Sequence, residues 1–335
     1  MQASLVTVIC STYNKKATLD CALRSVLNQQ FKAFEVQVIG DGCTDGSEEV
    51  VRALNDPRLH WFNLPRNTGS QSEPNNEGLR RAKTPYVAFI GHDDLWFPWH
   101  LERLVAYAEE ASADLVHDLA ASITPEGVEG PHGAPNPQSG YSRIYVPTSS
   151  WLHRRELVNE IGFWRDPDEL AWPIDFDFTR RAAVAGKKMK CIESLGVLKF
   201  HSAAWKLYSR TGTPPQQAYL QEIIESPTKL SEKILIQLAN RFAQICQLQD
   251  RILFSFAWRT ARVAAKSALK AALRDLAYGY GPDRWPVGLL LRRRARVLRS
   301  RFRVLRGLAP LAPAGCNSGR KRGHLNSETP GEDAR

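Results

Sequence analysis

Residues 36–47 read VQVIGDGCTDGS: the apolar run Val36, Val38, Ile39 ends abruptly in a knot of glycines and acids, Gly40, Asp41, Gly42, Asp45 and Gly46. A glycine-rich turn after a buried strand suggests a nucleotide fold, but the glycines follow GxGxxxG rather than GxGxxG, and two carboxylates stand among them. Bare carboxylates repel phosphate, so a Rossmann oxidoreductase is disfavoured. Carboxylates suit such a place when one accepts a hydrogen bond from a nucleobase imide or ribose hydroxyl and another holds a divalent cation that neutralises phosphates.

Outward from this loop, residues 4–10 (SLVTVIC), 34–40 (FEVQVIG), 58–64 (RLHWFNL) and 86–91 (YVAFIG) are short, rich in β-branched or aromatic residues and bounded by polar residues, so they read as strands. Leu19, Ala22, Leu23, Val26 and Leu27 follow helical spacing, as do Leu101, Leu104, Val105 and Ala108 after Pro98. The alternation predicts βαβ units and a mostly parallel sheet covered by helices. Ligands bind such sheets beyond the carboxyl ends of the strands. There stand the polar clusters STYN (11–14), DGCTDG (41–46), PRNTG (65–69) and HDD (92–94).

Composition sets the outer limits. The 335 residues suggest one sizeable core with an appended segment. The net charge of +10 is uneven: residues 1–228 carry 23 Lys and Arg against 28 Asp and Glu, residues 229–310 carry 18 against 4, and residues 311–335 carry 4 against 3. Six dispersed cysteines without a CxxC pair point to reduced thiols. Neither a secretory signal nor an apolar stretch of about 18 residues is evident, so a cytoplasmic protein is expected. Residues 122–150, rich in Pro, Gly and Ser, read as a long loop over the rim.

The ordered motifs VTVICSTYN, VQVIGDGCTDGS, RNTGSQSEPNN and YVAFIGHDD resemble the nucleotide-binding half of the family 2, GT-A-fold inverting glycosyltransferases, strongly over residues 4–110 and more weakly over 141–205. The resemblance implies an α/β fold, a mixed, mostly parallel sheet with flanking helices. It implies that Asp41 contacts the base of a UDP-sugar, with Tyr13, Asn67 and Gly69, and less strongly Thr12 and Arg66, lining the nucleoside pocket. It also implies that Asp93, supported by Asp94 and by a C-terminal histidine, His201, holds Mn²⁺ or Mg²⁺. The chain departs from the family at Gly40, Gly91 and Ile174, where acids are usual. One remaining carboxylate still suffices when diphosphate oxygens and water complete the shell.

The resemblance places the general base in WPIDFDFTRRAAVAGKK (172–188), which is similar to the family's base-bearing segment, at Asp175 or Asp177. On a helix these two diverge by about 200°. Asp175 shares an inward stripe with Phe178, Ala182 and Ala185, whereas Asp177 faces Arg180 and Arg181 and suits a solvated ion pair. Asp175 is therefore the expected base. Each feature also has a plainer reading: Asp-Gly forms turns, HDD supplies dipole charge before a helix, Asp175 caps one, and Trp96, Trp99, Trp151, Trp164 and Trp172 are as suited to a core as to sugar stacking.

Arg259, Arg262, Lys266, Lys270 and Arg274, and again Arg292, Arg296, Arg299, Arg303 and Arg306, recur at helical spacing. The expected organisation is a catalytic domain over 1–225, a basic helical region over 226–310 that meets an anionic membrane surface through 251–306, on the inner face of the plasma membrane, and a disordered tail over 311–335. Nucleic acid is a weaker match, because the acidic rim would then be incidental. The sequence thus predicts transfer of a sugar from a nucleotide-sugar, expected to be UDP-linked, to a glycan or lipid-linked hydroxyl. The alternative is a degenerate domain that binds without turnover.

Overall fold

In the computed structural model, residues 3–135, 140–141, 144–209, 212–255 and Ser300 are described. The first half runs β1 (Val6–Thr12), α1 (Lys16–Leu27), β2 (Phe34–Gly40), α2 (Ser47–Ala53), β3 (Leu59–Asn63), α3 (Ser72–Arg81), β4 (Tyr86–Gly91), β5 (Leu95–Trp96) and α4 (His100–Glu110). The second half runs β6 (Leu115–Thr124), β7 (Gly127–His132), β8 (Trp151–Arg154), α5 (Leu157–Ile161), α6 (Ile174–Val184), β9 (Met189–Phe200), α7 (Gln216–Glu225) and α8 (Pro227–Ser255).

The described strands form one sheet in the order β3-β2-β1-β4-β8-β6-β9-β5, with β7 paired to β6. β3, β2, β1 and β4 are mutually parallel, as are β6 and β9. β8 lies antiparallel between β4 and β6. Every residue of β1 is buried, as a central strand covered on both faces requires. Val6, Val8 and Cys10 meet Leu19, Leu23 and Val26 of α1 on one side, while Ile9 packs with Phe89 and Leu79 on the other. The fold is the expected mixed, mostly parallel α/β sheet.

The region 122–150 differs from the expected loop. Its first part is a β-hairpin: Thr124-Pro125-Glu126-Gly127 makes the turn between β6 and β7, and Gly127 adopts φ +122°. Proline and glycine are there because the turn needs them, and that composition conceals two flanking strands. Trp96, Trp151 and Trp164 are buried core residues rather than sugar-stacking surfaces, with Trp164 stacked on both Trp151 and Phe178. No described helix is long and apolar enough to cross a membrane. The basic stripes within 259–306 and the tail 311–335 lie outside the described residues.

Candidate active site

The loop after β2 is fastened from both sides. Thr12 closes β1, accepts the Asp41 N–H through its carbonyl at 2.8 Å and is itself buried, so it holds the loop rather than presenting a hydroxyl. Asp41, also buried, accepts from the N–H and the hydroxyl of Thr68 at 2.8 Å each, which ties it to the loop that carries Arg66, Asn67 and Gly69. Gly42 stands at φ +71°, and a Cβ there would lie 2.5 Å from the Asn67 nitrogen, so the two loops meet because this residue has no side chain. Asp45 accepts from the N–H groups of Lys16 and Ser47 at the first turns of α1 and α2. Its carboxylate organises the loop and satisfies helix ends.

The space of the missing acid at Gly40 is taken. A Cβ there would meet Asn63 Oδ1 at 2.5 Å and the Trp61 ring at 2.7 Å, and Asn63 bonds both the N–H and the carbonyl of Cys43. At Gly91 a Cβ would stand 2.9 Å from Asp93 Oδ1 and 3.3 Å from Asp94 Oδ2. A third carboxylate would crowd two that are already present.

Asp93 and Asp94 have different surroundings. Asp94 is fully buried and receives Lys199 Nζ at 3.0 Å, the Phe200 N–H at 3.0 Å and the Ser149 hydroxyl at 2.5 Å. It is a fixed anchor for β9, which corrects its expected place as a supporting metal ligand: its oxygens are already met by three donors. Asp93 accepts from the Ser202 hydroxyl, and its backbone carbonyl receives Gln216 Nε2 at 2.9 Å from α7. Burial alone would lower the Lys199 ammonium, but Asp94, with Tyr145 and Asp93 beside it, outweighs this and holds it above its ordinary value.

Asp175 lies in the first turn of α6, 7% exposed, with its carboxylate accepting the Phe176 N–H at 2.9 Å and the Tyr145 hydroxyl. Pro173 is the N-cap and no side chain bonds there, so Asp175 does not cap the helix. Burial raises its carboxyl above the usual range, against the pull of Lys199, the Phe176 N–H and Tyr145. Asp177 is also buried and pairs with Arg181 at 2.8 Å. The expected solvated pair is instead an internal lock, because Arg181 extends onto the carbonyls of Ile161, Gly162 and Phe163 where α5 ends.

His201 follows β9, and its Nε2 lies 2.8 Å from Ser122 Oγ, whose other neighbour is His132 Nε2 at 2.7 Å. Ser122 and His132 had no sequence signal, because the hairpin that joins them was hidden in a loop-like composition. Tyr145 and Lys199 were missed for a related reason: each is isolated in sequence and becomes significant only opposite Asp175 and Asp94. The two halves of the rim are linked by rings. Tyr208 lies 6.4 Å from Tyr13 and 6.3 Å from His92, with the Lys15 ammonium 5.1 Å above its face. His92 Nδ1 donates to the Ser11 carbonyl at 3.3 Å, and its buried Nε2 has no hydrogen-bond partner among the described residues.

Among the described residues no group of three or more His, Cys, Asp or Glu is arranged to hold a metal ion. The donors present fit a cation that arrives with a diphosphate: one carboxylate, Asp93, with His201 close enough to feel its charge.

The mixed sheet with acid-bearing loops at its rim and a buried carboxylate on α6 is a glycosyltransferase scaffold. The glycosyl transferase family 2 profile matches residues 7–161, and this part of the chain is a family 2 glycosyltransferase domain, a transferase, on the GT-A-like mixed sheet described above. An uncharacterized glycosyltransferase of Nostoc sp. is 27% identical over 249 residues, covering 70% of this chain and 76% of that one. The Staphylococcus aureus poly(ribitol-phosphate) β-N-acetylglucosaminyltransferase TarP is 35% identical over 129 residues, 37% of each chain. The putative teichuronic acid biosynthesis glycosyltransferase TuaG of Bacillus subtilis is 33% identical over 110 residues, 32% of this chain and 43% of its own. The chain thus spans under half the length of TarP and TuaG. Among solved structures, S. aureus TarS 1–349 in complex with UDP-GlcNAc superposes with a TM-score of 0.52 at 20% identity, over 90% of this chain and 87% of that one, a likeness of fold.

Proposed function

We propose that the chain transfers a glycosyl group, with inversion, from a UDP-sugar to a hydroxyl of a glycan or lipid-linked acceptor in surface polysaccharide or glycoconjugate synthesis. The observation that carries this reading is Asp175: a recessed carboxylate with raised proton affinity, oriented by Tyr145 and within the field of the lysine that pairs with Asp94. A base works best when its pKa lies toward the operating pH. Asp175 takes the acceptor proton as the acceptor oxygen bonds to the anomeric carbon and the bond from that carbon to the diphosphate oxygen breaks. The diphosphate leaves with the bonding pair. A divalent cation, Mn²⁺ or Mg²⁺, held by Asp93 with help from His201 would supply charge neutralisation to that leaving group. Asp41, with Asn67 and Gly69 on the adjoining loop, is assigned to the nucleobase, and Tyr13 to the nucleoside. Arg66 lies exposed on the same loop, where it can meet phosphate.

The relatives support the setting, since those named for a process are named for teichuronic acid or succinoglycan biosynthesis. The assay is release of UDP from a panel of UDP-sugars with acceptor membranes and Mn²⁺ or Mg²⁺. Asp175→Asn should lower kcat by about 10²–10⁴-fold with UDP affinity kept. Asp93→Asn should remove cation stimulation. Saturable UDP binding with no turnover of any donor would instead establish the degenerate domain that the glycines at 40 and 91 suggest.

A further inference from the structure

The first half of α8 packs on the domain, and large apolar side chains just beyond that contact are exposed. Leu230, Ile234 and Leu238 recur every four residues and seat the helix against Val128 and Ile223, and Arg241 closes the contact by pairing with Glu129 of β7 at 2.7 Å. The apolar sequence continues past that point. Phe242 is 69% exposed, and Ile245, on the same row as Leu238, is 46% exposed. On the outer face Leu235 and Ile236 are 50% and 60% exposed. Four large apolar side chains on one helix thus face solvent, and Leu235 and Ile236 alone diverge by about 100°. A seam between two helices is a narrow stripe, so this wide arc suits immersion in a continuous apolar phase better than a coiled coil.

The charge of the chain beyond α8 selects that phase. Residues 256–310 contain 14 Lys and Arg against 2 Asp and Glu. A segment of that charge complements an anionic surface, and Lys229 at the start of α8 has the same sign, while Lys233 and Arg241 are paired with Glu222 and Glu129. We infer that α8 and the basic segment beyond it dock the protein on an anionic lipid bilayer, with Phe242 and Ile245 entering the acyl boundary and the cations meeting headgroups. Because α8 is seated on β7, the strand that ends at His132 beside His201, docking holds the transfer cleft one hairpin away from the lipid surface.

The full chain is sedimented with vesicles of phosphatidylcholine, and with vesicles in which one third is replaced by phosphatidylglycerol, in the absence of donor and acceptor. Failure here therefore leaves the proposed function untouched. The expected result is binding at least about tenfold tighter to the anionic vesicles, weakened by salt. Phe242→Asp with Ile245→Asp should lower that binding about tenfold while thermal melting is unchanged, as both side chains are exposed. In a second variant, Arg292, Arg296 and Arg299 are replaced by Gln, which should weaken binding without touching α8. Three results overturn the inference: no preference for anionic vesicles, unchanged binding in both variants, or an oligomer that the Phe242 and Ile245 substitutions dissociate in a protein that does not bind vesicles.

Discussion

At the scale of single residues, two aspartates that sequence spacing could only rank acquire separate physical roles. Asp177 is spent on Arg181, which in turn holds three backbone carbonyls. Asp175 is partnered by Tyr145 and by one backbone N–H. The tyrosine hydroxyl stabilises the ionised form of Asp175, so Tyr145→Phe should raise its pKa further. The acidic limb of the kcat/KM profile should therefore move to higher pH while its plateau changes less, as a pH–rate series on the purified variant would show. If the limb stays in place, the proton it reports is not the one on Asp175.

At the scale of elements, the strands that carry the site are held by buried polar pairs with no spare room. β9 crosses beside β6 through Gly196, where a Cβ would stand 1.5 Å from Asp118 Oδ2 and 2.6 Å from His100 Nδ1. Those two side chains, both wholly buried, share a hydrogen bond of 2.7 Å that links α4 to β6. Gly196→Ala must displace one partner and leave the other unmatched in the interior. Losses for breaking such buried pairs run to about 3–5 kcal/mol, and urea unfolding of the variant would measure this one. Stability unchanged to within about 0.5 kcal/mol would mean that β9 can shift away without cost. The hairpin of β6 and β7 has a comparable role, since it brings His132 and Ser122 to His201.

At the scale of the whole molecule, buried imidazoles set an acid limit on stability. Burial lowers His117 and His153 from 6.5 to about 4. Their folded values lie below the unfolded one, so the unfolded chain binds more protons between these limits and stability falls as pH drops from about 6.5 toward 4. Each histidine contributes about 3 kcal/mol to that loss by pH 4, from about 1.4 kcal/mol per pH unit. Thermal melts across this range should show the decline, and His153→Gln should make it shallower. An unchanged Tm from about pH 7 to about pH 4.5 would show that these imidazoles are not neutral in the fold.

The sequence by itself determined the strand and helix alternation over the first hundred residues and the four polar clusters on one rim, because period-two and period-3.6 patterns and turn residues are local signals. It ranked Asp175 above Asp177 by helical spacing, but the expectation that Asp177 is solvated failed, because both are buried and Asp177 is locked to Arg181. Only the tertiary structure decided that Asp94 is a buried anchor, that Thr12 and Asp45 hold loops in place, that Asn63 and Trp61 occupy the space of the missing acid at Gly40, that Lys199 meets Asp94 and Tyr145 meets Asp175, and that Ser122 lies between His132 and His201. Each of those facts depends on a partner distant along the chain. A side chain's role at such a contact is set by the desolvation and the hydrogen bonds its partners impose, and neither is written in its sequence neighbours.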